Sequence, residues 1–266
     1  MAENGSVKIG NTEMYYAACG RGAKKMVALP GLSDGLATVK GKAFFLSQPY
    51  KKFLKDYTVY TFSRKNDMPD GYTIRQMAED QAKAMKELGI DKAYVLGVSQ
   101  GGMIAQYLTI DHPEMVEKLI LTVTAPNANA VVTDAVKTWI DMANKGDHTA
   151  LMVDTAEKMY SEKYLKNNRK FFPILARFTK PQNYNRFLIN ANAILNFDAR
   201  DELKDIKCPT LIISGDDDKT VGNEAPYLLE KGIINSRIFI YKGLGHGAFE
   251  EAKDFYDRVF DFCEQA

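Results

Sequence analysis

Tyr94-Val95-Leu96-Gly97-Val98-Ser99-Gln100-Gly101-Gly102-Met103 is the stretch whose reading decides the rest of the chain. An apolar run ends there in the pattern G-x-S-x-G, and helix-like spacing follows at once. The pattern predicts a sharp strand-to-helix turn with Ser99 at its apex, flanked by glycines that let neighbouring chain come close without a Cβ clash. A hydroxyl on such a turn is exposed and aimed. The turn also sets the Gln100 N–H at a helix N-terminus, where unpaired amides and the helix dipole favour the negative charge that develops in acyl transfer. Ser99 is therefore the candidate nucleophile, and Gln100 N–H the candidate stabiliser beside it.

On the N-terminal side, residues 6–18 alternate loosely around Val7, Ile9, Met14 and Tyr16, which predicts an opening hairpin at a sheet edge. Met26-Val27-Ala28-Leu29 is a buried strand running into the turn-rich loop Pro30-Gly31-Leu32-Ser33-Asp34-Gly35. Residues 44–57 carry aromatic and lysine side chains at helical spacing, and Thr58-Val59-Tyr60-Thr61-Phe62 is a β-branched and aromatic strand. Ile74, Met77, Ala78, Ala82 and Met85 mark one helical face, which Gly89 ends. Beyond Ser99 the helix runs to His112, where Pro113 stops it, and Leu119-Ile120-Leu121-Thr122-Val123 is the next buried strand. Strict alternation of helix and short apolar strand predicts an α/β fold, with a largely parallel sheet covered by helices on both faces.

The rhythm breaks over residues 126–200, which hold no convincing strand. Helical stripes appear there at Val132, Val136, Trp139, Ile140 and Ala143, at Leu151, Met152, Thr155 and Met159, and around Phe187, Leu188, Ala191, Ile194 and Leu195. The segment reads as a helical insertion over the sheet edge. Strands resume at Thr210-Leu211-Ile212-Ile213-Ser214 and at residues 237–241, and the chain ends in an amphipathic helix burying Phe249, Phe255, Val259 and Phe262. With no repeat or low-complexity linker in its 266 residues, the chain is expected to be one domain over 1–266, with 126–200 inserted in it.

Composition narrows the partners. With 35 basic against 34 acidic residues, no overall field draws nucleic acid or an anionic membrane. A small neutral or weakly charged ligand with an apolar part fits better. The three cysteines Cys19, Cys208 and Cys263 have no metal-ligand spacing, and their odd number argues against a disulfide framework. No metal, cofactor or membrane span is expected, and the cytoplasm is the expected compartment.

A serine hydroxyl is a poor nucleophile at neutral pH unless an imidazole takes its proton and a carboxylate holds that imidazole in the useful tautomer. Three histidines are available. His112 ends a helix and His148 lies in a polar turn, so capping or surface exposure explains both. His246 follows a predicted strand within Gly243-Leu244-Gly245-His246-Gly247, a setting that presents a side chain at the sheet's C-terminal edge. Asp216, Asp217 and Asp218 leave the sheet after Ser214 and Gly215, so one of the three can reach His246. Their spacing alone does not say which.

At this point the chain resembles the α/β-hydrolase-fold proteins, through the elbow Gly97-Val98-Ser99-Gln100-Gly101 and the order Ser, Asp, His. The resemblance implies a mostly parallel sheet of about eight strands, a helical lid between the sixth and seventh, and Asp218 as the acid at the end of a G-x-x-D turn. Two departures stand out. Leu29-Pro30-Gly31-Leu32 lacks the family's frequent His-Gly, so the loop loses its usual support; Leu32 N–H is the second oxyanion donor by position, with Ser33 the alternative. Ser63-Arg64-Lys65-Asn66 replaces a frequent Asp-x-Arg-Gly, leaving that loop's contribution open. The implied activity is hydrolysis of a small carboxylic ester or thioester through an acyl-serine. Carbon–carbon bond hydrolysis, lyase, acyltransferase or perhydrolase chemistry, and a non-catalytic small-molecule receptor, are the alternatives.

Overall fold

The computed structural model describes residues 2–265. Its strands are β1 (Ala2–Ile9), β2 (Thr12–Gly20), β3 (Lys24–Leu29), β4 (Tyr57–Lys65), β5 (Ala93–Val98), β6 (Val116–Thr122), β7 (Thr210–Gly215) and β8 (Ser236–Tyr241). They form one eight-stranded sheet in the order β1-β2-β4-β3-β5-β6-β7-β8. The opening hairpin pairs antiparallel, β2 meets β4 antiparallel, and every later pair is parallel. An antiparallel hairpin thus extends an otherwise parallel sheet.

The helices are α1 (Ala43–Ser47), α2 (Ile74–Glu87), α3 (Gln100–Asp111), α4 (Ala130–Asn144), α5 (His148–Met159), α6 (Glu162–Asn168), α7 (Phe172–Thr179), α8 (Asn185–Leu195), α9 (Ala225–Gly232), α10 (Ala248–Glu251) and α11 (Phe255–Glu264). Central strands are apolar on both faces because both are covered, and their two-residue period divides the core. Val27, Leu29, Val95, Leu119, Leu121 and Ile212 join the larger cluster with α2, α3, α4, α8 and α9. Met26, Ala28, Leu96, Ile120, Leu211 and Ile213 face the other side, against Phe53, Tyr57 and the Phe255, Val259, Phe262 stripe of α11. Ten consecutive residues of α3, Gln100 to Thr109, are buried, as suits a helix enclosed on all sides.

Local signals set the ends. Thr73 caps α2 in a reciprocal box with Gln76, and Gly89 leaves the helix at φ +65°. All of α4 to α8 falls between β6 and β7, and the isolated bridge Asn127–Asp198 ties the two ends of that segment together. No helix among the described residues is long and apolar enough to cross a membrane.

Two sequence expectations need correction, and one helix had no expectation. Residues 44–57 are not one helix: α1 stops at Ser47, a 3-10 turn spans Gln48–Tyr50, and Phe44 and Phe45 are exposed, because Pro49 removes an N–H and clashes with the preceding turn. His148 is not in a polar surface turn but is the first residue of α5, 3% exposed, with Nε2 3.1 Å from Thr179 Oγ1 of α7. The helix α9, opened by Pro226 near its start, went unread because its eight residues are too short for a clear stripe.

Candidate active site

The turn at Ser99 has the strained form its glycines predict. Ser99 sits at φ 53°, ψ −120° as the N-cap of α3, a conformation that costs a non-glycine residue roughly 1–3 kcal/mol. Surrounding contacts enforce it. Ser99 N–H donates to Thr122 O (2.9 Å) at the end of β6, and Thr124 Oγ1 donates to Ser99 O (2.8 Å). A Cβ on Gly101 would lie 1.9 Å from Leu29 O, and one on Gly97 would lie 2.5 Å from Gly101 O. Only bare backbone lets the first turn of α3 press against the ends of β3 and β5, which stand in register at Leu29 and Gly97.

His246 and Asp218 reach Ser99 from the ends of β8 and β7. His246 Nε2 is 2.9 Å from Ser99 Oγ, and Nδ1 is 2.8 Å from Asp218 Oδ2. A carboxylate accepts only, so Nδ1 carries the proton toward Asp218 and Nε2 is left to accept from the serine hydroxyl. The other oxygen, Asp218 Oδ1, accepts from Thr220 N–H (2.8 Å) and Val221 N–H (2.9 Å), which locks the carboxylate in place. Both His246 and Asp218 are buried.

The two neighbouring acids do other work. Asp216 Oδ1 accepts from Gly243 N–H (2.6 Å), and that bond, more than the Lys242 ammonium 3.3 Å away, holds its carboxyl below the ordinary range. Asp217 is half-exposed and lies 3.4 Å from Lys219 Nζ. Gly215 allows the two loops to touch, since a Cβ there would meet Leu244 O at 2.0 Å. Of the remaining histidines, His112 bonds Glu79 (2.6 Å) and His148 lies inside the insertion; neither bonds Ser99.

Among the described residues, the N–H groups of Gln100, Leu32 and Ser33 have no hydrogen-bond acceptor, and the loop carrying the last two passes close to Ser99. A Cβ on Gly31 would be 3.3 Å from Ser99 Cβ. The loop thus meets Ser99 at Gly31, one residue before Leu32, while Gln100 follows Ser99 directly in the chain; Leu32 and Ser33 both stay open as the second donor. Behind them lies a group of side chains that the sequence did not single out: Asp34, Arg64, Arg186 and Asn190. Two departures pointed this way, the missing histidine in the loop and the stretch Ser63-Arg64-Lys65-Asn66 that contains Arg64.

Helices between β6 and β7 touch both sides of this site. Gly247 N–H donates to Met159 O (2.6 Å) beside His246, and a Cβ on Gly35 would meet Phe187 Cα at 2.8 Å beside the Leu32 loop. A cavity of about 980 Å³ lies on another side of α8, with Tyr72, Arg75, Tyr107, Arg186, Asn192 and Phe197 in its wall; Ser99, Gln100 and His246 do not line it. No group of three or more metal-ligating side chains occurs among the described residues.

A strained serine elbow at the edge of a mostly parallel, two-sided sheet defines a class of protein, and the chain belongs to it: residues 60–253 match the model of the alpha/beta hydrolase fold family. RutD of Serratia proteamaculans, provisionally named a carbamate hydrolase, is 24% identical over 254 residues, covering 92% of this chain and 94% of its own. Among solved structures, the α/β-hydrolase enzyme MGS-M2 from a Medee basin deep-sea metagenome library superposes with a TM-score of 0.88 at 19% identity, covering 98% of each chain. The enol-lactonase of Burkholderia xenovorans gives 0.79 at 22%, covering 98% of this chain and 100% of its own. Likeness at these identities carries the fold; the chemistry has to be argued from the residues.

Proposed function

We propose that the protein is a serine hydrolase that cleaves a small carboxylic ester or thioester through an acyl-Ser99 intermediate. The observation that carries this reading is the unbroken series of hydrogen bonds from Asp218 through His246 to Ser99 Oγ, next to N–H donors with no other acceptor. His246 Nε2 takes the hydroxyl proton as Ser99 attacks the acyl carbon, and Asp218 stabilises the imidazolium that forms. The tetrahedral oxyanion is held by Gln100 N–H and by Leu32 N–H, with Ser33 N–H as the alternative donor. The imidazolium then protonates the leaving alcohol or thiol, and water, activated by the same imidazole, releases the acid. None of these steps uses a metal or a cofactor.

In this reading α4 to α8 form a lid whose inner surface selects the acyl group, supported by the contacts of Met159 and Phe187 with the loops on either side of Ser99. Turnover of chromogenic esters and thioesters of graded acyl length tests activity and selectivity together. The expected result is a rate that depends on acyl length, shifts when apolar lid residues become Ala, and disappears in Ser99→Ala. Turnover retained in Ser99→Ala would rule the reading out, and a protein that is labelled by a fluorophosphonate yet turns over no ester or thioester would be a receptor or run another chemistry.

A further inference from the structure

Arg64 is among the largest fully buried side chains, at 1% exposure, and it lies at the end of β4 where a charged loop residue would ordinarily face water. Its Nη2 donates to Gln100 Oε1 (3.0 Å), and its backbone N–H donates to Asp34 Oδ2 (2.9 Å). Asp34, two residues past Leu32, is equally enclosed at 2% exposure. The same Oδ2 accepts from Arg186 Nη2 (2.7 Å) of α8, while Arg186 Nε donates to Asp34 O (3.0 Å) and Nη1 to Lys65 O (2.7 Å). On the elbow side, Gln100 Nε2 donates to Asn190 O (2.7 Å), one helical turn beyond Arg186. The residues on either side of the nucleophile are thus joined to each other and to one helix of the insertion.

Packing alone does not account for such a cluster. Two guanidinium groups share one carboxylate, and Asp34 Oδ1 and Arg64 Nε are buried with no hydrogen-bond partner. Burial pulls the Arg64 guanidinium down to about 10, which still leaves it protonated at neutral pH. Apolar side chains of similar volume often serve a fold as well as or better than a buried ionic group, so a charged cluster is better explained by the geometry it imposes. What it imposes here is the placement of an irregular loop and a helix start. The 3-10 turn Leu32–Gly35 has no side-chain cap of its own, and oxyanion donors are effective only when they are held in place before the charge appears.

We propose that Arg64 and Arg186, joined through Asp34, are positioning residues that hold the Leu32 loop and Gln100 at a set separation, in the role the absent loop histidine would fill. The inference rests on the hydrolase reading above. It couples the site to the insertion, because displacing α8 would move Arg186 and Asn190 together and slacken both donors.

The test compares the wild type with Asp34→Asn, Arg64→Lys and Arg186→Lys, measuring kcat and KM for a turned-over ester and the affinity of a boronic acid that forms a tetrahedral adduct on serine. Each variant is expected to lower kcat roughly 10- to 100-fold with KM changed less than about twofold, and to weaken the boronic acid by a similar factor. Cooperative thermal unfolding identifies the folded variants; should the two buried sites fail to fold, Arg186→Lys carries the test, since that side chain is 17% exposed. Folded variants with kcat, KM and boronic-acid affinity within about twofold of wild type would overturn the proposal while leaving the hydrolase reading intact. A wild type whose Ser99 takes no fluorophosphonate would remove both.

Discussion

Asp218 shows how much one residue owes to its surroundings. Three adjacent carboxylates leave the same strand end, and their spacing did not choose between them; the resemblance to a family did. The choice has a physical basis that lies in long-range contacts: Asp216 is held by Gly243 N–H, Asp217 turns to Lys219 and solvent, and Asp218 is fastened by two amides against His246. Those partners are 25 or more residues away or depend on the turn already being formed, so no local pattern could have revealed them. The account predicts that Asp218→Asn lowers kcat by up to about ten-thousandfold with circular dichroism unchanged, whereas Asp216→Asn and Asp217→Asn stay within about tenfold. Equal, mild losses at all three positions would send the search for the acid elsewhere. The positions of Ser99 and His246 past strand ends, by contrast, were legible from the chain itself, because each is flanked by glycines, Ser99 directly after β5 and His246 in the loop that follows β8.

At the scale of elements, the strands were the easiest to read, since a strand covered on both faces is a short apolar run such as Thr210-Leu211-Ile212-Ile213-Ser214. Helices were read where their stripe is long, as in α2, and missed where it is short, as in α9, or broken by proline, as after α1. Arg64 and Asp34 were placed in the sequence but given no role for a related reason: charged residues at a strand end or in a loop look solvated until another helix closes over them. His148 reads as a surface residue from the sequence for the same reason, and its burial between α5 and α7 predicts a pH dependence for their packing. Burial, with Lys180 nearby, pulls its imidazole below the ordinary value, so the unfolded chain binds the proton more readily. The packing of α5 on α7 is therefore at full strength above the ordinary imidazole range, near about pH 6.5, and weakens as pH falls through the lowered value. Hydrogen exchange at pH 7.5 and pH 5, corrected for intrinsic rates, should show α5 and α7 losing protection at the lower pH. His148→Gln should abolish that difference, and an unchanged difference in the variant would show that another group is responsible.

For the whole molecule, the organisation follows from one arrangement: parallel strands whose C-terminal ends lie together deliver the ends of β3, β5, β7 and β8 to one edge. Gly31, Ser99, Asp218 and His246 come from four loops far apart in sequence, yet all leave that edge, and helices between β6 and β7 touch the loops there through Met159 and Phe187. We propose that this convergence makes Ser99 a covalent nucleophile, which peptide mapping after exposure to a fluorophosphonate tests most directly. The account predicts a single phosphonyl adduct located on Ser99, strongly slowed labelling in His246→Ala, and no adduct in Ser99→Ala. An adduct on any other serine with Ser99 unmodified would contradict it.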